Sequence, residues 1–226
     1  MRFYLVCLFL VLIFSCEKQE KNISISSVKE DFTGLKIGNS TFYDVRYIRH
    51  DSQVDIHDTI DFKLKSIIED TFRDNANILR YKIHRYRWND TIASWVNFKL
   101  ISARIDNNFY IESEDNYDVK KFFIPYNFNF SWNSNSFNTN DTLHFRFINL
   151  YPKLIIGQVE VDSVIGVKQQ LFISYVDLRR KYEFFARNKG MVKKYFKDLK
   201  IKKGDTTNID KGEEWYFNMY QFIKGK

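Results

Sequence analysis

The chain has 226 residues, a net charge of +7 from 35 Lys and Arg against 28 Asp and Glu, and 18% aromatic residues. Its hydrophobic content of 44% excludes a disordered chain, and its length suits one large domain or two small ones. Flat aromatic rings pack well on half-buried pleated surfaces, so 22 Phe, 14 Tyr and 4 Trp favour β structure.

The N-terminus has the pattern of a secretory signal. Arg2 is followed by an unbroken apolar run over residues 3–14, and then by Ser15 and Cys16. A helix of this length spans about 18 Å, well short of the roughly 30 Å hydrocarbon core, so we do not expect a permanent transmembrane helix. An ordinary cleaved signal or an uncleaved short anchor is one interpretation of this pattern.

The segment Leu12-Ile-Phe-Ser-Cys16 also resembles the lipobox of bacterial lipoproteins, in which a peptidase cuts before Cys and the Cys is then acylated. The resemblance implies a signal peptide over residues 1–15 and palmitate-type acyl chains on Cys16. It also implies a bacterial cell envelope location, for which we expect the outer membrane. Residues 16–30 then hold the lipidated Cys and a short polar tether. Because Cys7 is removed and Cys16 is modified, no free thiol remains in the mature chain.

Most of the remaining chain has the alternation of β-strands. Apolar residues mostly recur at every second position, with turn-forming residues between the runs. The runs cover residues 42–48, 61–65, 81–88, 95–101, 104–112, 121–126, 143–149, 154–162, 170–176 and 215–223. Asn89-Asp90 separates two runs as in a hairpin, and an Asn-rich stretch over 127–140 indicates a turn-rich loop. We predict a single antiparallel β domain over 31–226, with little helix, as an open or half-barrel or a sandwich.

Residues 189–203 allow two interpretations. Local spacing favours an amphipathic basic helix, because apolar residues recur every three or four positions with lysines between them. As a strand the same segment has a poorer pattern, since Tyr195 shares a face with Lys193 and Lys197.

Three motifs in chain order resemble a family of lipoproteins from Bacteroidetes of the Cytophaga and Flavobacteria type. The motifs are Phe62-Lys-Leu-Lys-Ser-Ile-Ile-Glu-Asp with Phe72-Arg-Asp and Tyr81-Lys-Ile-His-Arg-Tyr-Arg, then Phe123-Ile-Pro with Trp132-Asn-Ser-Asn and Asn138-Thr, then Tyr182-Glu-Phe-Phe-Ala-Arg-Asn-Lys-Gly-Met-Val. The resemblance covers most of residues 40–223 and implies a β-rich envelope domain, but no activity. It continues residues 190–192 as a strand, so we expect a strand over 189–203.

The sequence contains one metal-like constellation, between His50 and Asp58. Imidazoles and carboxylates are suitable ligands for zinc or calcium, and His50, Asp55 and His57 are its weak candidates. The spacing matches neither HExxH nor an EF-hand loop, and a polar loop between strands explains it equally well. We therefore expect no metal and no cofactor. A metal-dependent hydrolase using residues 50–58 remains an alternative.

Catalytic signatures are missing from the sequence: it has no G-x-S-x-G, no P-loop and no G-x-G-x-x-G. We therefore expect no enzymatic activity. A second motif comprises Trp132, Asn133, Asn135 and Asn138. It is either a ligand site or a structural turn, in which Trp anchors one end and the Asn side chains bond to backbone.

The basic residues between Lys189 and Lys203 suit anionic headgroups or phosphates, or else form a solvated face that protects a sheet edge. Tryptophans can line a pocket for sugars, or simply fill the core. Export excludes nucleic acid as a partner. The sequence therefore predicts a lipid-anchored envelope protein at the outer membrane. We expect a non-catalytic binding or scaffold domain for a protein, lipid or glycan, with a lipid or glycan carrier in a half-barrel as an alternative.

Overall fold

The structure, a computed structural model, describes residues 31–226, so the predicted signal peptide, Cys16 and the tether lie outside it. No helix occurs in the described part, and therefore none there is long and apolar enough to cross a bilayer. Twelve strands make up the fold: β1 Ser40–Asp51, β2 Ile56–Arg73, β3 Leu79–Asn89, β4 Ser94–Asp106, β5 Phe109–Glu114, β6 Tyr117–Phe123, β7 Ser131–Asn133, β8 His144–Ile156, β9 Val159–Ile173, β10 Asp177–Ala186, β11 Gly190–Lys202 and β12 Asp205–Ile223.

All twelve strands belong to one antiparallel sheet, in the order β6-β5-β4-β3-β2-β1-β12-β11-β10-β9-β8-β7. Two meanders, β1–β6 and β7–β12, are thus joined where the first strand pairs with the last. That pairing runs from Ser40 opposite Ile223 to Asp51 opposite Lys211. It sets the register between the two halves of the sheet.

The two edge strands, β6 and β7, approach each other and nearly close the sheet. The Lys120 amide of β6 donates to the Ser134 carbonyl at 3.0 Å, and the Trp132 indole Nε1 donates back to the Lys120 carbonyl at 2.9 Å. The predicted antiparallel β domain is therefore confirmed. Its form is one curled, nearly closed sheet rather than a sandwich of two sheets.

The core draws on both meanders. One cluster brings Ile83 and Ile101 from β3 and β4 together with Val167 and Phe185 from β9 and β10. A second cluster packs the far end of the β8–β9 hairpin against β1, β2 and β12; its buried members include Val45, Leu64, Ile156, Val161 and Phe217. Because each cluster needs residues from both halves, the apolar faces of the two meanders are buried together.

The residues before β1 form a strap across one end of the sheet. Phe32 is buried in the first cluster, and Gly34 lies so close to Gly190 that an added Cβ would stand 2.5 Å from the Gly190 nitrogen. Asn39 donates to the Gly34 carbonyl and accepts from the Gly225 amide, both at 2.9 Å. The strap is therefore fixed beside the C-terminal residues, and its first residue, Asp31, accepts a hydrogen bond from the Asn188 amide.

Two of the predicted strand segments each contain a turn that the alternation of apolar residues did not indicate. The run 104–112 is broken between β4 and β5 by Asn107 and Asn108, which both have positive φ, a conformation that Asn tolerates. The run 154–162 is broken after β8 by Gly157. Two strands extend well beyond the predicted runs 61–65 and 215–223, since β2 has 18 residues and β12 has 19.

The expectation of a strand over residues 189–203 is confirmed by β11. This strand lies between β10 and β12, with Tyr195 opposite Tyr182 on one side and Tyr216 on the other. Pairing on both sides outweighs the local helical spacing. The interpretation of the lysines as edge protection is wrong, because β11 lies inside the sheet.

A buried ion pair connects the halves through the interior. The Lys121 ammonium of β6 lies 2.7 Å from Glu183 Oε1 of β10, and Glu183 is only 2% exposed. Burial acts to raise the pKa of Glu183, but the Lys121 and Lys194 ammonium groups outweigh it, so this pKa is lowered. Burial acts likewise to lower the pKa of Lys121, but the Glu183 carboxylate outweighs it, and the pKa is raised. Both groups are therefore charged at neutral pH.

We predict that Glu183→Gln lowers the free energy of unfolding by about 3–5 kcal/mol, because it removes the nearest carboxylate of the buried Lys121 ammonium and leaves only Glu112, 3.7 Å away. Urea denaturation measures the change. Glu160→Gln is the control: it removes the exposed partner of Lys153 and should leave the denaturation midpoint unchanged. Equal midpoints for the two variants would show that the buried pair does not support the sheet.

Candidate functional site

A groove crosses one face of β8, β9, β10 and β11. Its volume is about 560 Å³, which is within the usual range for small-molecule sites. We call it the basic groove; its lining consists of Ile148, Leu171, Ile173, Arg180, Tyr182, Phe184, Lys193 and Tyr195. The lining is thus largely apolar and aromatic, with two cations and no carboxylate.

Strand register brings these side chains together. Tyr182 of β10 lies opposite Tyr195 of β11, with ring centroids 6.2 Å apart, and Phe184 lies opposite Lys193. Residues directly opposite each other in neighbouring strands share a face of the sheet. The alternating lysines and aromatics of β11 therefore meet the alternating residues of β10 on one surface.

A glycine shapes the floor near one end of the groove. Gly166 of β9 lies opposite Phe184, and a Cβ added there would stand 2.7 Å from Cγ1 of Ile148 and 3.3 Å from the Phe184 ring. Any larger residue at this position would displace Ile148. The glycine therefore leaves room for Ile148 and Phe184, which line the groove, to pack directly over the backbone of β9.

The charges of the basic groove are not balanced within the described chain. Lys168 lies opposite Tyr182 and, on its other side, opposite Arg146, so two more cations stand beside Arg180 and Lys193. Across residues 31–226, none of these four cations forms an ion pair. Burial, and then the neighbouring Arg146 charge, lower the pKa of Lys168. A cluster of this kind attracts an anion.

A larger groove of about 790 Å³ on β1, β2, β3 and β12 differs in this respect. Its charged residues pair with each other: Arg46 with Asp61 and Lys63 with Asp44, each at 2.8 Å. The remaining charged residue of the lining, Asp90, is acidic. This second groove therefore has no unpaired cation to attract an anion.

The weak metal candidates are only partly brought together. His50 is buried, its Nε2 lies 3.0 Å from a Glu214 oxygen, and its Nδ1 lies 2.9 Å from Nδ1 of His57. Asp55 is exposed in the turn between β1 and β2. Within the described ranges, no group of three or more His, Cys, Asp or Glu could hold a metal ion. The His50–His57 contact instead connects β2 to Glu214 of β12.

The Trp132 motif lies where the sheet closes. Asn133 accepts from the Asn135 amide at 3.0 Å, and Asn135 donates to a backbone carbonyl six residues ahead at 2.6 Å. Asn138 donates to the Asp118 carbonyl of β6 at 2.8 Å. With the Trp132 indole bond to β6, these side chains hold the segment after β7 and attach it to the opposite edge.

The four tryptophans do not line one pocket. Trp88 and Trp95 pack edge to face at 5.4 Å, while Trp132 belongs to the first core cluster and Trp215 packs against the second. Sequence reasoning singled out these tryptophans and missed the groove, which contains none of them. The available signal was the alternation of Lys with aromatic residues in 193–197, but its partners on β8, β9 and β10 are far away in sequence.

No protein-family model and no curated protein matches the chain. The fold is similar to the crystal structure of "a putative lipoprotein from Parabacteroides distasonis", a member of the Bacteroidetes. The identity is 10%, the TM-score is 0.46, and the match covers 85% of this chain and 98% of that one. A likeness of this size carries no argument about function. The resemblance of the sequence to a Bacteroidetes lipoprotein family therefore stays a prediction.

Proposed function

We propose that this protein is a lipid-anchored component of the bacterial cell envelope whose β domain binds an anionic amphiphile in the basic groove without catalysing a reaction. One observation carries the proposal. Arg180 and Lys193 line an apolar groove and have no carboxylate partner in the described chain, and the equally unpaired Lys168 and Arg146 lie in register with Tyr182 of the groove. A ligand with one anionic and one hydrocarbon part complements both features.

The composition of the groove favours a lipid over a glycan. Arg180 and Lys193 can bind phosphate oxygens, for which the Arg guanidinium is well suited. Ile148, Leu171 and Ile173 offer aliphatic walls, which favour hydrocarbon because its burial removes apolar surface from water. A sugar needs more hydrogen-bonding groups than this lining provides. We therefore commit to a phosphate-bearing lipid as the ligand class.

The proposed location rests on the N-terminal sequence. In this account residues 1–15 are a signal peptide, Cys16 carries the acyl chains, and residues 16–30 connect it to a single domain over 31–226. The Asn188 amide donates to the Asp31 carbonyl at 2.5 Å, which gives such a tether a fixed attachment point on the domain. The outer membrane is the membrane we propose.

Replacing Cys16 tests the anchor. Cys16→Ser removes the site of acylation, so we expect the protein to leave the acylated membrane fraction and to appear as a soluble or uncleaved form. Cell fractionation and the intact mass of the purified protein measure the change. Cys7→Ser is the control and should keep the wild-type distribution. If the intact mass of the Cys16→Ser variant differed from that of the wild type only by the substitution itself, the lipid anchor would be contradicted.

Charge reversal tests the groove. We predict that Arg180→Glu combined with Lys193→Glu weakens binding of short-chain phosphatidylglycerol by about tenfold or more, because two attractive charges become repulsive. Isothermal titration below the micelle concentration measures the affinity. Lys63→Glu, in the groove whose charges are paired, is the matched control and should bind as the wild type does. Equal affinities for all three proteins would overturn the proposed ligand site.

A further inference from the structure

The hairpin between β9 and β10 ends in an unusual concentration of exposed apolar side chains. We call residues 171–176 the apolar tip. Its large apolar residues are between 47% and 66% exposed: Leu171, Phe172, Ile173, Tyr175 and Val176. Scattered exposed apolar residues are ordinary in proteins, but five within six consecutive positions form a patch, and such patches mark interaction surfaces.

The apolar tip is held in place by backbone hydrogen bonds. The Ser174 amide donates to the Asp177 carbonyl at 2.8 Å, which closes the turn. The Gly204 amide, between β11 and β12, donates to the Tyr175 carbonyl at 2.8 Å. The tip therefore presents its side chains from a fixed hairpin, which reduces the entropy lost when they bind.

Cations line the groove that leads away from the tip. Arg180 and Lys193, without ion pairs in the described chain, line the basic groove that Leu171 and Ile173 of the tip also line. The acidic residue of the hairpin, Asp177, is neutralised by Lys200 at 2.7 Å. An apolar end with cations behind it along one face complements a bilayer surface, where hydrocarbon lies below anionic headgroups.

We propose that the apolar tip inserts into the boundary between headgroups and acyl chains of a bilayer that contains anionic lipids. In this position the basic groove opens directly onto the lipid. The inference rests on the proposed function in one respect, the anchor that brings the domain to the membrane. It adds a second contact with the bilayer, at the opposite end of the domain from the tether.

The geometry of the chain permits both contacts at once. β10 runs from the tip to Ala186, which lies opposite Gly190, and Gly190 is in contact with the N-terminal strap. Its 10 residues span about 33 Å. The 15 residues over 16–30 reach about 50 Å when fully extended. The anchor and the tip can therefore lie in the same bilayer if the domain lies along its surface.

Single-cysteine labelling tests the insertion. The described chain has no Cys, so Phe172→Cys introduces a unique site for an environment-sensitive fluorophore in the lipidated protein. The vesicles contain phosphatidylcholine and phosphatidylglycerol, with nitroxide-bearing lipids as quenchers. We expect the emission at residue 172 to fall by about twofold or more, because the label enters the acyl region. Vesicles without phosphatidylglycerol should show weaker quenching.

Ile155→Cys is the matched control, because Ile155 is 69% exposed and lies at the end of the sheet where the strap is. Its label should keep its emission. Quenching at 155 without quenching at 172 would show that the strap end of the domain, rather than the tip, contacts the bilayer. That result would overturn the inference, as would the absence of quenching at both sites. Either result leaves the groove test with short-chain lipid intact, and membrane fractionation reports separately on the anchor.

Discussion

The structure depends on the pairing of the first strand with the last. Because β1 and β12 pair over twelve positions, two six-stranded meanders become one sheet with a shared interior. Without this pairing each meander would present a long unpaired edge and an uncovered apolar face. The shared interior is also what makes the charges on β6 and β10 mutual partners, since Lys121 and Glu183 stand in different halves of the sheet. Closure at Trp132 then protects the edges that remain.

The same register that builds the core also builds the basic groove. Alternation sends the side chains of β11 to two faces: Lys194 points toward Glu183, whereas Lys193 and Tyr195 join the groove. The interior lysine faces the buried Glu183 carboxylate, and burial, the largest influence, lowers the pKa of Lys194. The groove lysine has no such partner. Whether a lysine of this strand is paired or unpaired is therefore set by its position in the sheet, and not by residue type.

Much of the fold could be predicted from the sequence, because strand alternation and Asn-rich turns are local signals. The strand at residues 190–202 required more than local spacing, which favours a helix there, and the family resemblance supplied the correct expectation. The turns at Asn107 and Gly157 were missed since each interrupts an otherwise continuous apolar pattern. The groove could not be predicted, because its cations Arg180 and Lys193 and the neighbouring Arg146 and Lys168 come from four strands. Only their register shows that no carboxylate lies among them.

The central claim is that the basic groove holds an anionic lipid. Native mass spectrometry of the protein purified from its own membranes tests it most directly. The account predicts one additional mass that matches a phosphate-bearing lipid and that the Arg180→Glu, Lys193→Glu double variant loses. A protein that carries no additional mass, or a neutral glycan retained equally by both forms, would contradict it.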